Sequence, residues 1–173
     1  SLLLRGPNGS GKSSLLRMAA GVLAPEDGSF GWGSNALDRE AHSQHIAYVG
    51  HLDAVKSTFS VLENLQFWTR IGGGEEYTSL NALEAMGISH LAGLPAGFLS
   101  AGQRRRLNLA RLAASTAPLW LLDEPTVSLD EAAIAQLMQL LRRHLSGGGL
   151  AMIATHTDLP LKPATLLMLG ARE

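Results

Sequence analysis

Apolar positions fall along the chain in two rhythms, short unbroken runs and stretches with helical spacing. Residues 1–5 form an apolar run stopped by Gly6-Pro7-Asn8-Gly9, which reads as a buried strand entering a turn. Residues 12–22 carry apolar side chains at 15, 16, 18, 19 and 22, the spacing of one helix face, until Pro25-Glu26-Asp27-Gly28 breaks the pattern. Residues 31–44 are polar and interrupted by glycine, which predicts short strands and turns. Ile46-Ala47-Tyr48-Val49 reads as another strand, ending at Gly50.

From Ser60 the period becomes helical. Ser60 and Glu63 have the spacing of a capping box, with Val61, Leu62, Leu65 and Trp68 following at helical positions. The glycine triplet at 72–74 separates this helix from a second over about 75–86, and a third is predicted from 101 to about 115. A strand over 119–122, a helix over 131–145 and a strand over 150–155 complete the pattern, with a second glycine triplet before the last strand. Strands alternating with helices around an all-helical middle predict an α/β fold. We expect one domain over 1–173, a mostly parallel sheet with a helical subdomain at about 58–100. There is no internal repeat.

Composition narrows the function. Apolar residues make up 46% of the 173 and charged residues 17%, a globular chain able to bury a core without staples. The net charge of −1 leaves no electrostatic footprint for nucleic acid or an anionic membrane. Without cysteine there are no disulfides, no thiol catalysis and no zinc–thiolate site. Apolar runs such as Leu119 to Leu122 are far shorter than the roughly 20 residues of a spanning helix. The chain opens Ser-Leu-Leu-Leu inside an apolar run, and is expected to be a fragment lacking its N-terminal strands.

The chemistry is carried by three short stretches. Gly6-Pro7-Asn8-Gly9-Ser10-Gly11-Lys12-Ser13 fits G-x-x-x-x-G-K-[ST] between a strand and a helix. Its glycines let backbone N–H groups turn inward around phosphates, Lys12 reaches the β- and γ-phosphates, and the Ser13 hydroxyl is a Mg²⁺ ligand. With Ser14, these are the residues expected to bind a nucleoside triphosphate, at the positive end of a helix. Leu119-Trp120-Leu121-Leu122-Asp123-Glu124 is an apolar strand ending in two carboxylates. Asp123 suits the second metal contact, and Glu124 is placed to polarise an attacking water. Leu99-Ser100-Ala101-Gly102-Gln103 is a capping box with glycine, and such a helix N-terminus also makes an anion site.

Taken in order with Pro125-Thr126, Ser128-Leu129-Asp130 and Thr155-His156, these stretches resemble the ATP-binding cassette (ABC) ATPases over nearly the whole chain. The resemblance implies the P-loop NTPase fold and ATP hydrolysis with Mg²⁺. It also implies a head-to-tail dimer and a place on integral membrane transporter subunits. Ser100, Ala101, Gly102 and Gln103 become the signature loop, which contacts ATP held by the other copy. Asp130 falls on the D-loop, and His156 matches the switch histidine that meets the γ-phosphate. His51 stands where most cassettes have a catalytic-site glutamine, and Val127 where many have serine. The aromatic residue that usually stacks on adenine would lie upstream of residue 1.

Gly50-His51, Lys56-Ser57, Val61-Leu62-Glu63-Asn64-Leu65, Phe67-Trp68, Ala101 and Arg105-Arg106 are similar to the cassettes of cytochrome c maturation. That likeness implies the ATP-binding subunit of a haem exporter, at the cytoplasmic face of the bacterial inner membrane. Another ABC exporter moving lipid or drug, a soluble cassette of DNA repair or translation, and a small-molecule P-loop kinase stand as alternatives. The kinase leaves Leu-Ser-Ala-Gly-Gln and His156 without a role. Arg104-Arg105-Arg106 reads as a solvated helix face, and His42 and His45 as part of a polar loop rather than a metal or haem pair.

Overall fold

A computed structural model describes residues 1–32, 35–36, 42–72 and 77–170. Five strands form one sheet: β1 (Leu2–Arg5), β4 (Ile46–Val49), β5 (Leu119–Asp123), β6 (Leu150–Ala154) and β7 (Thr165–Met168). Every pairing is parallel and the order is β4-β5-β6-β1-β7. β2 (Gly31–Trp32) and β3 (Asn35–Ala36) make a separate antiparallel pair. The helices are α1 (Lys12–Ala19), α2 (Val61–Ile71), α3 (Tyr77–Ala85), α4 (Ala101–Ala113) and α5 (Glu131–Ser146).

The central strands are continuous apolar runs because both faces of the sheet are covered. Leu4, Leu121 and Ala154 point to one face, where they meet Leu16 and Ala19 of α1. Their neighbours Leu3, Leu122 and Ile153 point to the other, into the larger core with α2, α3, α4 and α5. This is the two-residue alternation of a strand serving two cores. Val61, Leu65 and Leu83 of the helical middle lie in the same core as Val49 and Ile153 of the sheet.

Capping fixes where the helices start. Ser60 and Glu63 close a capping box on α2, Ser100 and Gln103 close another on α4, and Asp130 caps α5. α1 stops at Ala19 rather than 22. Gly21, at φ 70°, donates to the Met18 carbonyl, and Val22 turns out to solvent. β7 has no counterpart among the predicted elements. Its Thr-Leu-Leu-Met is a short exposed edge strand, so neither burial nor alternation marks it. Of the predicted second helix, residues 75 and 76 lie outside the described residues, as do Gly73-Gly74 and most of the polar stretch 33–41.

Candidate functional site

The register of the sheet assembles the site. Leu4 pairs with Ala154, and Ala154 with Asp123, so the carboxyl ends of β1, β6 and β5 lie in one row. Val49 pairs with Leu122 and brings the end of β4 alongside. In an open parallel sheet this edge is where a ligand crevice forms. The loop 6–11, the two carboxylates, His156 and His51 all leave the sheet here.

After β1 the chain turns through left-handed backbone at Gly6 and Gly11, at φ 148° and 94°. A Cβ on Gly6 would sit 2.2 Å from the Leu169 carbonyl oxygen, so only glycine fits. Gly11 is the N-terminal boundary of α1, and no side chain caps it. α2, α4 and α5 carry such caps, which leaves α1 with first-turn N–H groups open to an anion. Lys12 is nearly buried, and its Nζ donates to the carbonyls of Gly6 at 2.8 Å and Pro7 at 3.0 Å. The ammonium is thereby held over the loop.

The Ser13 hydroxyl donates to Asp123 Oδ1 at 3.1 Å, across 110 residues of sequence. Asp123 is 2% exposed, and its Oδ2 has no hydrogen-bond partner. A buried carboxylate oxygen left unpaired is costly unless something cationic completes it. One hydroxyl and one carboxylate are hard oxygen donors of the kind Mg²⁺ uses when phosphate and water fill its remaining positions. The residues present therefore fit that ion. No cluster of three or more His, Cys, Asp or Glu suited to a metal occurs among the described residues.

Glu124 sits at φ 46°, a left-handed conformation uncommon for a residue with a side chain. Its N–H donates to the Ala154 carbonyl at 2.9 Å, and its Oε1 is buried without a hydrogen bond. The His156 N–H reaches Glu124 Oε2 at 3.4 Å, and His156 Nε2 lies 3.6 Å from Glu124 Oε1. The same Nε2 is 3.1 Å from Asn8 Oδ1, which joins the glutamate and the phosphate loop through one imidazole. Asn8, Lys12, Ser13, Asp123, Glu124 and His156 are thus brought together. His51 lies exposed just past β4 and makes no hydrogen bond or ion pair among the described residues.

Ser100 to Gln103 stand apart from this cluster. Among the described residues no hydrogen bond joins them to the loop 6–13. Instead Gly102 lies against the chain after β5, where a Cβ would come within 2.8 Å of the Ser128 carbonyl oxygen. The Asp130 carboxylate accepts from the Ala133 N–H at 2.8 Å and from Arg106 Nη2 at 2.6 Å. The Ala133 N–H, aided by Arg106, holds the Asp130 carboxyl below the usual carboxylate range, although partial desolvation works the other way.

Two expectations need correction. Arg105 is not on a solvated face: it is 4% exposed and donates to the carbonyls of Gly50, Asp123 and Glu124 and to Asp53 Oδ1. Three successive residues sweep about 200° around a helix, so a run of three arginines cannot share one outward face. Arg105 also falls at i, i+4 and i+7 with Leu109 and Leu112, which are buried. That spacing was the signal for it. His42, expected in a polar loop, is buried, with Nε2 2.6 Å from the Ala19 carbonyl oxygen at the end of α1.

Known proteins share the sequence family and the fold of this chain. Residues 1–127 match the family model described as ABC transporter. The cytochrome c biogenesis ATP-binding export protein CcmA of Rhodospirillum rubrum is 51% identical over 171 residues, covering 98% of this chain and 73% of that protein. The protein of the same name from Paracoccus denitrificans is 50% identical over 170 residues, covering 98% and 76%. Among solved structures, a putative ABC transporter ATP-binding protein from Pyrococcus furiosus superposes with a TM-score of 0.83 at 24% identity, over 97% of this chain and 83% of that one. A dimeric ATP-binding cassette in a post-hydrolysis state, bound to ADP and Pi, gives 0.84 at 24% identity, over 99% and 84%. With a P-loop, paired carboxylates and a histidine on one sheet edge, and relatives at about half identity over nearly its full length, the chain belongs to the ATP-binding cassette family of ABC transporters.

Proposed function

We propose that this chain is the ATP-hydrolysing subunit of a membrane ABC transporter complex that exports haem for cytochrome c maturation. The relatives' names support the pathway, and the convergence of Asn8, Ser13, Asp123, Glu124 and His156 on one sheet edge supports the chemistry. Residues 1–173 belong to a single cassette domain whose helical part covers about 58–100.

The first-turn N–H groups of α1 and the loop 6–11 hold the phosphates of ATP, and the Lys12 ammonium turns from its carbonyl partners to the β- and γ-phosphates. Ser13 and Asp123 would hold Mg²⁺, which would supply charge neutralisation to the phosphates. The Glu124 carboxylate accepts a hydrogen bond from the attacking water and aims its oxygen at the γ-phosphorus. The new P–O bond forms as the bond to the β-bridging oxygen breaks, giving ADP and phosphate. His156 donates to the γ-phosphate, and its contact with Glu124 keeps the two groups in register. His51 adds a polar group on the β4 side, toward the water shell of the ion. Ser100 to Gln103, with Asp130 on the neighbouring turn, serve the ATP bound by a second copy, packed head to tail. Integral membrane subunits hold the two copies at the cytoplasmic face of the inner membrane. No helix among the described residues is long and apolar enough to span it.

Glu124→Gln tests the chemistry. It keeps the shape of the side chain and the phosphate contacts, so ATP binding is expected to persist while hydrolysis falls by about 10² or more. Lys12→Ala is expected to weaken nucleotide binding itself. Wild-type turnover by Glu124→Gln would remove Glu124 from this role. Restoration of holocytochrome c in a strain lacking its own cassette, by the wild type but not by Glu124→Gln, tests the pathway.

A further inference from the structure

Arg105 on α4 is a buried cation whose two terminal guanidinium nitrogens serve two different chain segments. Nη1 donates to the Gly50 carbonyl at 2.8 Å and to Asp53 Oδ1 at 3.2 Å, both on the turn that follows β4. Nη2 donates to the carbonyls of Asp123 at 2.9 Å, the last residue of β5, and Glu124 at 2.8 Å, the first residue after it. A guanidinium is the one side chain with a rigid fork of donors wide enough for this.

The bonds fall on the peptide groups that set the Glu124 backbone. The peptide before Glu124 is held at both ends, its carbonyl oxygen by Arg105 and its N–H by the Ala154 carbonyl. The peptide after it is held at the Glu124 oxygen by Arg105 at 2.8 Å and, more weakly, by the Val127 N–H at 3.3 Å. With both flanking planes fixed, φ and ψ of Glu124 are fixed, and this residue sits at φ 46°. Left-handed backbone at a residue with a Cβ persists where its surroundings over-determine it. The other arm of the fork is braced in turn. Asp53 Oδ1 also accepts from Asn108 Nδ2 at 3.1 Å, Arg111 Nη1 donates to Asn108 Oδ1 at 2.9 Å, and the Arg111 guanidinium lies 3.6 Å over the Trp68 ring of α2.

We propose that Arg105 is a positioning residue that locks the strained backbone of Glu124 and ties it to the turn carrying His51. The inference rests on the reading of Glu124 as the residue that orients water. All four acceptors of Arg105 are protein oxygens, those of Gly50, Asp53, Asp123 and Glu124. Arg105 sets where the glutamate points, and a movement of the 50–53 turn relative to β5 is transmitted to Glu124 through one guanidinium.

The test uses the full-length protein with Arg105→Met, Arg105→Lys and Arg105→Gln. A misaligned glutamate slows the chemical step and leaves phosphate binding alone. Arg105→Met is therefore expected to lower kcat about 10²-fold, a loss typical of a 1 Å misplacement, with KM and ATP affinity within about twofold. Arg105→Lys keeps the charge but cannot span both segments, and is expected to recover kcat to about a tenth of wild type. Should Arg105→Met not fold, Arg105→Lys and Arg105→Gln carry the test. In a Glu124→Gln background, the lysine substitution is expected to cost less than about threefold more, because both changes act on one group. A folded Arg105→Lys with wild-type kcat, a rise in KM alone, or losses that multiply in the double variant would each overturn the inference. Wild-type turnover by Glu124→Gln alone would instead overturn the reading beneath it.

Discussion

Asp123→Asn separates what the fold needs from what the chemistry needs. Asp123 is buried at the end of β5, with one carboxylate oxygen accepting from Ser13 and the other unpartnered. An unsatisfied buried charged oxygen costs more than an unsatisfied amide, by on the order of 1 kcal/mol. The substitution is nearly isosteric, and the amide oxygen can still accept from Ser13. The variant is therefore expected to be more stable, by about 2–4 °C in Tm for a domain of this size. A stabilising change at a working site is the usual trade of stability against activity.

The cost falls on metal-dependent binding. At nucleotide and metal concentrations about a hundredfold above Kd, binding stabilises the folded state by about 2.7 kcal/mol, which corresponds to roughly 5–11 °C. Thermal unfolding followed by intrinsic tryptophan fluorescence reads both effects in four conditions, with and without ATP and with EDTA or Mg²⁺. The wild type is expected to gain a shift from ATP in EDTA and a further shift when Mg²⁺ is present. The asparagine variant is expected to keep the first and lose the second. A variant less stable than wild type in EDTA, or one retaining the full Mg²⁺-dependent shift, would refute the assignment of Asp123 as the ion's carboxylate ligand.

Burial lowers the His144 pKa below its ordinary 6.5, so above that value the histidine is neutral in both folded and unfolded chains. As pH falls below about 6.5 the unfolded state takes up the proton first, and stability declines. The Tm of the wild type is therefore expected to drop between pH 7.5 and 5.5, and His144→Phe, which can keep the stack on Trp120, to flatten that drop; an unchanged slope refutes it. Because Ser100 to Gln103 make no hydrogen bond to the loop 6–13 of the same chain, a mixture of Lys12→Ala and Ser100→Arg proteins is expected to regain partial ATPase activity through one intact shared site. No recovery in the mixture would argue against a site built from two copies.

Most of the sheet edge could be read from the sequence because it is made of local signals. The P-loop needs glycine at fixed places, β5 needs an apolar run with acids at its end, and each capping box needs a serine three residues before an acid or amide. Each of these is a short-range requirement with few alternative residues. β7 escaped because an exposed edge strand of four residues carries no period. The burial of Arg105 was legible in its spacing with Leu109 and Leu112, but its partners were not. Its burial is compensated by main-chain carbonyls of Gly50, Asp123 and Glu124, and a carbonyl has no sequence signature. Only Asp53 could have been named as a partner, and it lies 52 residues away. Polar contacts to distant backbone are where composition and periodicity stop being informative.

Two capping boxes in this chain share one local geometry and differ in charge. At α2, Ser60 accepts from the Glu63 N–H and the Glu63 carboxylate accepts from the Ser60 N–H. The Ser60 N–H, aided by the Ser60 hydroxyl, holds the Glu63 carboxyl below its ordinary range. The box is then anionic, and a phosphate would be repelled. At α4 the geometry is the same, with Gln103 Oε1 taking the Ser100 N–H at 2.9 Å and Ser100 Oγ taking the Gln103 N–H at 3.2 Å. Both oxygens are used, which leaves the Ser100 O–H and the Gln103 NH₂ as donors without a partner among the described residues. A neutral box thus caps the helix and still presents two donors beside its positive end. Gln103→Glu converts the second box into the first. The helix is expected to start as before, with a Tm within about 2 °C of wild type, since glutamate and glutamine are interchangeable in the motif. Hydrolysis by the assembled protein is expected to fall by about 10² or more, as a negative charge would replace a donor at the proposed contact with the second copy's γ-phosphate. Full activity in a stably folded Gln103→Glu protein would mean that α4 needs its cap and nothing more.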